Sequence, residues 1–225
     1  MNPLDRPVWW ALKTRQSEFA RGGGAALAFR TDVEPFAASM DDDAGSLQAL
    51  AALAVPGENL LLIQAEASPS LPMLELVSDA VGVQMVAQRE IGGDLPAGAV
   101  ALGDEDAPDM IALAQMTRPG PFRANTHKLG QFWGVRREGV LVAMAGERLK
   151  LPGFTEVSGV CTHPDWRGHG FARQLSQFVA AQIQRRGNTP FLHAYADNDG
   201  AIGLYRQLGF EVRTEMQVQS FGLAS

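Results

Sequence analysis

The stretch Val160-Cys161-Thr162-His163-Pro164-Asp165-Trp166-Arg167-Gly168-His169-Gly170-Phe171-Ala172 constrains the fold of this chain more than any other. An apolar strand ends near Thr162, Pro164 sets a turn, and a basic, glycine-bearing loop opens directly into a helix. Apolar residues at Phe171, Leu175, Phe178 and Val179 predict that helix from Phe171 to about Arg185. A helix start leaves its first backbone N–H groups unpaired and carries partial positive charge, so it can hold a phosphate. Gly168 and Gly170 have no β-carbon to keep a diphosphate away from the backbone, and Arg167 adds a fixed charge. The functional reading is a pyrophosphate cradle; the plain alternative is a strand–turn–helix joint.

The spacing narrows the kind of cradle. Arg167-x-x-Gly170-x-Ala172 is not the Gly-x-Gly-x-x-Gly dinucleotide fingerprint, and no Gly-Lys-Ser/Thr follows as a P-loop requires. A second segment adds to it. Pro190 to Ala196 reads as a short strand, Asp197-Asn198-Asp199 supplies helix-capping side chains, and Ala201 to Leu208 reads as a helix ended by Gly209. Arg167-x-x-Gly170-x-Ala172, followed after a full helix by Asn198-x-x-Ala201-x-x-x-Tyr205-x-x-x-Gly209-Phe210, resembles two blocks of the GNAT superfamily of N-acyltransferases. The resemblance covers about Ala97 to Ser225 and is nearest to the subgroup related to glycine N-acyltransferases.

That resemblance implies an α/β fold with a mixed, mostly antiparallel sheet. The sheet would splay between the strand ending at Thr162 and the strand 190–196, and acetyl-CoA would enter the opening. Backbone groups of Val160, Cys161 and Thr162 are expected to pair with the pantetheine arm. Arg167, Gly168, His169, Gly170, Phe171, Ala172 and Arg173 are expected around the diphosphate, with Asn198 binding cofactor as well as capping its helix. Cys161 is expected to be a buried, inert thiol, because nothing nearby marks it as an activated thiolate.

Moving an acyl group from a thioester to an amine requires a held cofactor, a polarised carbonyl, a neutral amine and a proton for the departing thiolate. Tyr205 matches the superfamily's tyrosine near the cofactor sulfur and is the expected acid, its rival reading being a packed aromatic. Glu156 stands where members of the superfamily often place a glutamate that takes the amine's proton through water. Strand alternation would put Glu156, Ser158 and Val160 on one face, toward the cofactor arm. The rival reading of Glu156 is a solvent-facing residue at a strand's start.

The rest of the chain sets limits. Hydrophobic residues at 46% and charged residues at 20% are ordinary for a soluble globular protein. No apolar run reaches membrane-spanning length, and the start lacks the regions of a signal peptide. A single cysteine excludes an internal disulfide and fits a reducing cytoplasm. The scattered histidines, His163, His169 and His193 among them, read as loop, loop and strand residues, so no metal site is expected. Residues 1–95 carry 6 Lys/Arg against 13 Asp/Glu, and residues 96–225 carry 13 against 12. An acidic first part with no basic stripe argues against nucleic-acid binding.

Two domains are expected, an N-terminal α/β domain over 1–95 and the acyltransferase domain over 96–225, joined by Gly92-Gly93-Asp94-Leu95-Pro96. In the first, Pro7 to about Phe19 reads as a helix, Ala25–Arg30 as a strand, Gly45–Ala54 as a helix and Asn59–Gln64 as a buried strand. Leu71–Asp79 reads as helical and Val83–Gln88 as a strand, an alternation that resembles a degenerate half of the same fold. This part would shape the acceptor site together with the Pro/Gly-rich loop Met116–Gly130, or else serve as a dimerisation arm of a homodimer. The function expected is direct acetyl transfer from acetyl-CoA to a primary amine of a small molecule or peptide. The alternatives are a longer acyl donor and a non-catalytic CoA-binding module.

Overall fold

The computed structural model describes residues 2–66 and 70–223. Pro7, suited to the first turn of a helix, opens α1 (Pro7–Lys13). A three-stranded antiparallel sheet follows: β1 (Ala20–Gly23), β2 (Ala26–Phe29) and β3 (Ala37–Ser39). Next come α2 (Ala44–Ala51), β4 (Leu60–Gln64), β5 (Leu74–Ala87), β6 (Ala99–Leu102) and α3 (Ala107–Thr117). The remainder is β7 (Phe132–Arg137), β8 (Val140–Leu151), β9 (Phe154–Thr162), α4 (Phe171–Arg185), β10 (Thr189–Tyr195), α5 (Asp199–Leu208) and β11 (Phe210–Leu223).

Strands β4 to β11 form one eight-stranded sheet in the order β4-β11-β5-β10-β9-β8-β7-β6. Among the described residues every pairing in it is antiparallel except β9 with β10. Period-2 alternation gives it two buried faces. Met85 and Leu192 face α4 and α5, while their neighbours Val86 and Phe191 face α1 and β2 on the opposite side. No described helix is long and apolar enough to cross a membrane.

Three sequence expectations are corrected. α1 ends at Lys13 rather than near Phe19, because the Gln16 side chain turns into the core. There its amide donates to the carbonyls of Arg148 (2.7 Å) and Leu129 (3.3 Å) and accepts from the Lys150 N–H (3.1 Å). The segment Leu71–Asp79 is not helical: residues 74–79 are the first half of β5. Pairing with β11 runs from Ala87 opposite Phe210 to Leu74 opposite Leu223, and tertiary pairing of that length overrides local preference.

The division at 95/96 is the third. β4 and β5 belong to the same sheet as the later strands, β5 lying between β10 and β11, and both parts of the chain contribute to the hydrophobic cluster on each face. The segment 91–93 is tied to α4 rather than hanging free. Gln184 accepts from the Ile91 N–H (2.8 Å), Gln177 donates to the Gly92 carbonyl and Arg185 to that of Gly93 (3.3 Å).

Candidate active site

β9 and β10 run side by side only briefly. Phe154, Thr155 and Glu156 lie opposite Thr189, Pro190 and Phe191, after which β9 stays with β8 while β10 stays with β5. The parting leaves the β10-side edge of residues 157–162 without a neighbouring strand, so backbone groups there can pair with an amide-bearing arm.

An open cleft of about 540 Å³ runs along this edge. It brings together Val160, Cys161, Thr162, Arg167, Gly168, Gly170, Phe171, Ala172, Arg173 and Asn198, as expected from two distant sequence blocks. Gly168 (φ 82°) and Gly170 (φ 79°) both hold left-handed backbone, and no atom lies within 4 Å of where a β-carbon on Gly168 would sit. α4 has no side-chain cap, so its first amides face the cleft mouth unpaired by its own turn. The Thr162 hydroxyl on the wall is buried without a hydrogen-bond partner. A glycine cradle, free helix amides, Arg167 and an orphaned hydroxyl fit the diphosphate and amide arm of coenzyme A.

The His169 side chain packs within the loop. It is absent from the cleft wall; its ring stacks on Phe171 at 5.8 Å, and Nδ1 lies 3.1 Å from the carbonyls of Trp166 and Arg167. It shapes the loop instead. Cys161 is buried, and burial pushes its thiol up to about 11, as an inert residue requires.

Beyond the cleft lies a smaller inner pocket of about 170 Å³. The two share Arg118, Pro119, Val160 and Asn198 as walls. Tyr205 lines the inner pocket, and burial pushes its phenol up to about 12, which keeps it protonated at any working pH. Asn198 caps α5 through its side-chain oxygen, which accepts from the Ala201 N–H (3.1 Å). Phe36, Leu61 and Ile63, from the first part of the chain, form an apolar wall. The 118–121 end of the Pro/Gly-rich loop closes over it.

That loop is held by the N-terminal part. The Arg123 guanidinium donates to the Thr31 carbonyl (2.8 Å) and to Glu58 (2.6 Å). Asn125 donates through its backbone and side chain to Asp32, and Thr126 donates to the Val33 carbonyl (2.7 Å). The residues from 1–95 that reach the pocket are therefore apolar, and no described Asp or Glu lines it.

Glu156 does not fit the role of base. It is 0% exposed and lies on neither pocket wall. Its carboxylate accepts from Arg148 Nε (3.0 Å) and Nη2 (2.9 Å), from the Leu149 N–H (3.2 Å) and from His193 Nδ1 (2.8 Å). Burial alone would raise its pKa, but the Arg148 charge and the His193 and Arg148 hydrogen bonds hold it far below the usual carboxylate range. A carboxylate so held favours its charged form, and its acceptor sites are already taken by Arg148, Leu149 and His193. Alternation also fails between Glu156 and Val160. Gly146 lies opposite Ser158 and Met144 opposite Cys161, so β9 carries an extra residue, with Gly159 at φ 63°.

Arg148 and His193 are pocket-lining residues that the motifs did not reveal. Arg148 stands at a second bulge, where three steps on β8 (Glu147 to Lys150) match two on β9 (Val157 to Thr155). Bulges re-aim side chains. The one sequence signal was a charged run, Glu147, Arg148 and Lys150, late in a strand that is apolar up to Gly146. Both nitrogens of the His193 ring are engaged, Nδ1 with Glu156 and Nε2 with the Gln84 amide nitrogen (3.1 Å).

A mixed sheet parted beside a glycine-bearing helix start is the architecture of an acyl-CoA-dependent acetyltransferase. Comparison with known proteins agrees. The FR47-like protein family model matches residues 132–218. A GNAT-family protein of known structure from Novosphingobium aromaticivorans DSM 12444 is 40% identical, with a TM-score of 0.94 and full coverage of both chains. A GCN5-related N-acetyltransferase from Kribbella flavida shares the fold at 21% identity, TM-score 0.68, covering 100% of this chain and 97% of that one. The N-alpha-acetyltransferase RimI of Mycobacterium tuberculosis is 37% identical over 81 residues, 35% of this chain. The match spans 50% of that curated relative's length. The chain belongs to the GNAT family of acetyltransferases.

Proposed function

We propose that the chain binds acetyl-CoA in the open cleft and passes its acetyl group directly to a primary amine seated in the inner pocket. The observation that carries this reading is the junction of the two cavities at Val160 and Asn198, with Tyr205 beside it. The amine nitrogen's lone pair forms the new C–N bond to the thioester carbon, and the C–S electron pair leaves with sulfur. Tyr205 gives its proton to the thiolate, while the nitrogen's extra proton passes to water and restores the phenol. The products are an amide and free CoA thiol. Proximity of the two bound reactants supplies much of the acceleration.

An inner pocket of about 170 Å³ has little room for both a long acyl chain and an acceptor, which supports acetyl as the group moved. RimI, by its name an N-alpha-acetyltransferase, supports an α-amine as nucleophile. The finer kinship with glycine N-acyltransferases rests on the two sequence blocks. Tyr205→Phe tests the assignment, since it removes only the hydroxyl. Turnover measured by release of CoA thiol should fall on the order of a hundredfold with little change in acetyl-CoA affinity. Full activity in the variant would return Tyr205 to a packing role.

A further inference from the structure

The inner pocket has a charge pattern that selects among amines. Two arginines, Arg118 and Arg148, line it, and no described carboxylate does. Arg148 is 8% exposed and its guanidinium lies 4.8 Å from the Phe36 ring centroid. Its Nε and Nη2 hold Glu156, so that pair is charge-balanced. The remaining nitrogen, Nη1, makes no hydrogen bond among the described residues and lies against Gly120 on the pocket wall, 3.8 Å from where a β-carbon there would sit. Arg118, in left-handed backbone (φ 51°) at the end of α3, has no ion pair or side-chain hydrogen bond among the described residues. The pocket thus presents a balanced pair, an extra positive charge and the unused Nη1 of Arg148.

The carboxyl nearest to changing that balance is Glu34, which is 1% exposed behind the pocket, with neither oxygen hydrogen-bonded. Burial pushes it up to about 8, against the pull of Arg148, which favours its neutral form near pH 7. Opposite the arginines stands the apolar wall of Phe36, Leu61, Ile63 and Val218. The volume, about 170 Å³, is several times the ~30 Å³ share of one water and below the ~300 Å³ at which drug-sized sites begin.

From this we infer that the acceptor is a free apolar α-amino acid, its carboxylate held by Arg148 Nη1 and Arg118, its side chain against the Phe36–Leu61–Ile63 wall. The inference rests on the acetyl-transfer reading above and names its substrate class. Arg is the residue for this task, because its planar fork can hold one carboxylate through Nε and Nη2 and still offer Nη1 to another. Polyamines and aminoglycosides meet two cations and no carboxylate. A peptide N-terminus would lack the α-carboxylate beside its amine.

The test compares wild-type turnover of L-leucine, L-methionine and L-phenylalanine with leucinamide, an amidated leucine-first tripeptide and spermidine, each read by CoA thiol release. The free amino acids should exceed their amide by tenfold or more in kcat/KM, the size expected when a charge-assisted hydrogen bond is lost. Arg118→Gln, at an exposed position, should raise KM for leucine severalfold more than KM for leucinamide, narrowing the ratio between the two. Arg148→Lys should abolish the preference for the carboxylate, and a thermal melt checks that it folds. If leucinamide, the tripeptide or spermidine is acetylated as well as leucine, transfer stands and the carboxylate site is overturned. If acetyl-CoA binds but no amine releases thiol, the transfer reading falls, and this inference with it.

Discussion

The cofactor cleft and the inner pocket meet at Val160 and Asn198 but are built on opposite plans. The cleft is wide and is made largely of main chain: a strand edge, two left-handed glycines and the start of α4. Its contacts depend on backbone that many sequences could supply, provided the glycines remain. The inner pocket is small and made of side chains from both faces of the sheet. Tyr205 and Ala201 come from the α5 side, Phe36, Leu61 and Ile63 from the layer that the N-terminal part lays over the opposite face. On the proposed reading, the cleft would serve one invariant cofactor, while the pocket would decide which acceptor is used.

Three variants would break or sharpen that contrast. The largest effect is expected from Glu156→Gln, which leaves Arg148 buried without its balancing charge. Breaking such a pair costs about 3–5 kcal/mol, so denaturant unfolding at pH 7 should register a loss of that order. Its rate loss should be similar at every pH. Unchanged stability, with a rate deficit confined to low pH, would make Glu156 the amine's base after all and join it to the reacting site.

Next is Glu34→Gln. The folded pKa of about 8 lies above the ordinary 4.5, so between those values the native state keeps a proton that the unfolded chain has released. Native stability therefore falls as pH rises through this window, by up to about 1.4 kcal/mol per pH unit for one group. The variant removes that contribution, so its stability relative to wild type should climb steadily from pH 5 to pH 8. Parallel curves would mean that Glu34 is ionised in the folded protein and that the pocket carries one more negative charge.

The smallest effect belongs to the cleft. Gly170→Val places a branched side chain on left-handed backbone, a strain of about 1–2 kcal/mol, at the mouth where a diphosphate would sit. Acetyl-CoA affinity by calorimetry should fall about tenfold or more, with the melt shifted by only a few degrees. Unchanged affinity would remove the cradle from this loop.

The sequence by itself determined the cleft. Gly168, Gly170, Asn198 and Tyr205 mark local backbone events, a left-handed turn, a cap and a helix face, and such events are written in neighbouring residues. It also set the order of most strands and helices. Tertiary structure alone decided the rest, because the deciding partners are far apart in the chain. Residues 74–79 became a strand through pairing with β11, and Gln16 ended α1 by reaching the β8 bulge. Glu156 looked like a base because its position on β9 could be read, whereas its partners on β8 and β10 could not. Two bulges, each a mismatch of one residue between β8 and β9, sealed Glu156 away and turned Arg148 toward the inner pocket. Period-2 reasoning assumes an unbroken ladder, and a bulge is a property of two strands together, so neither strand's sequence announces it.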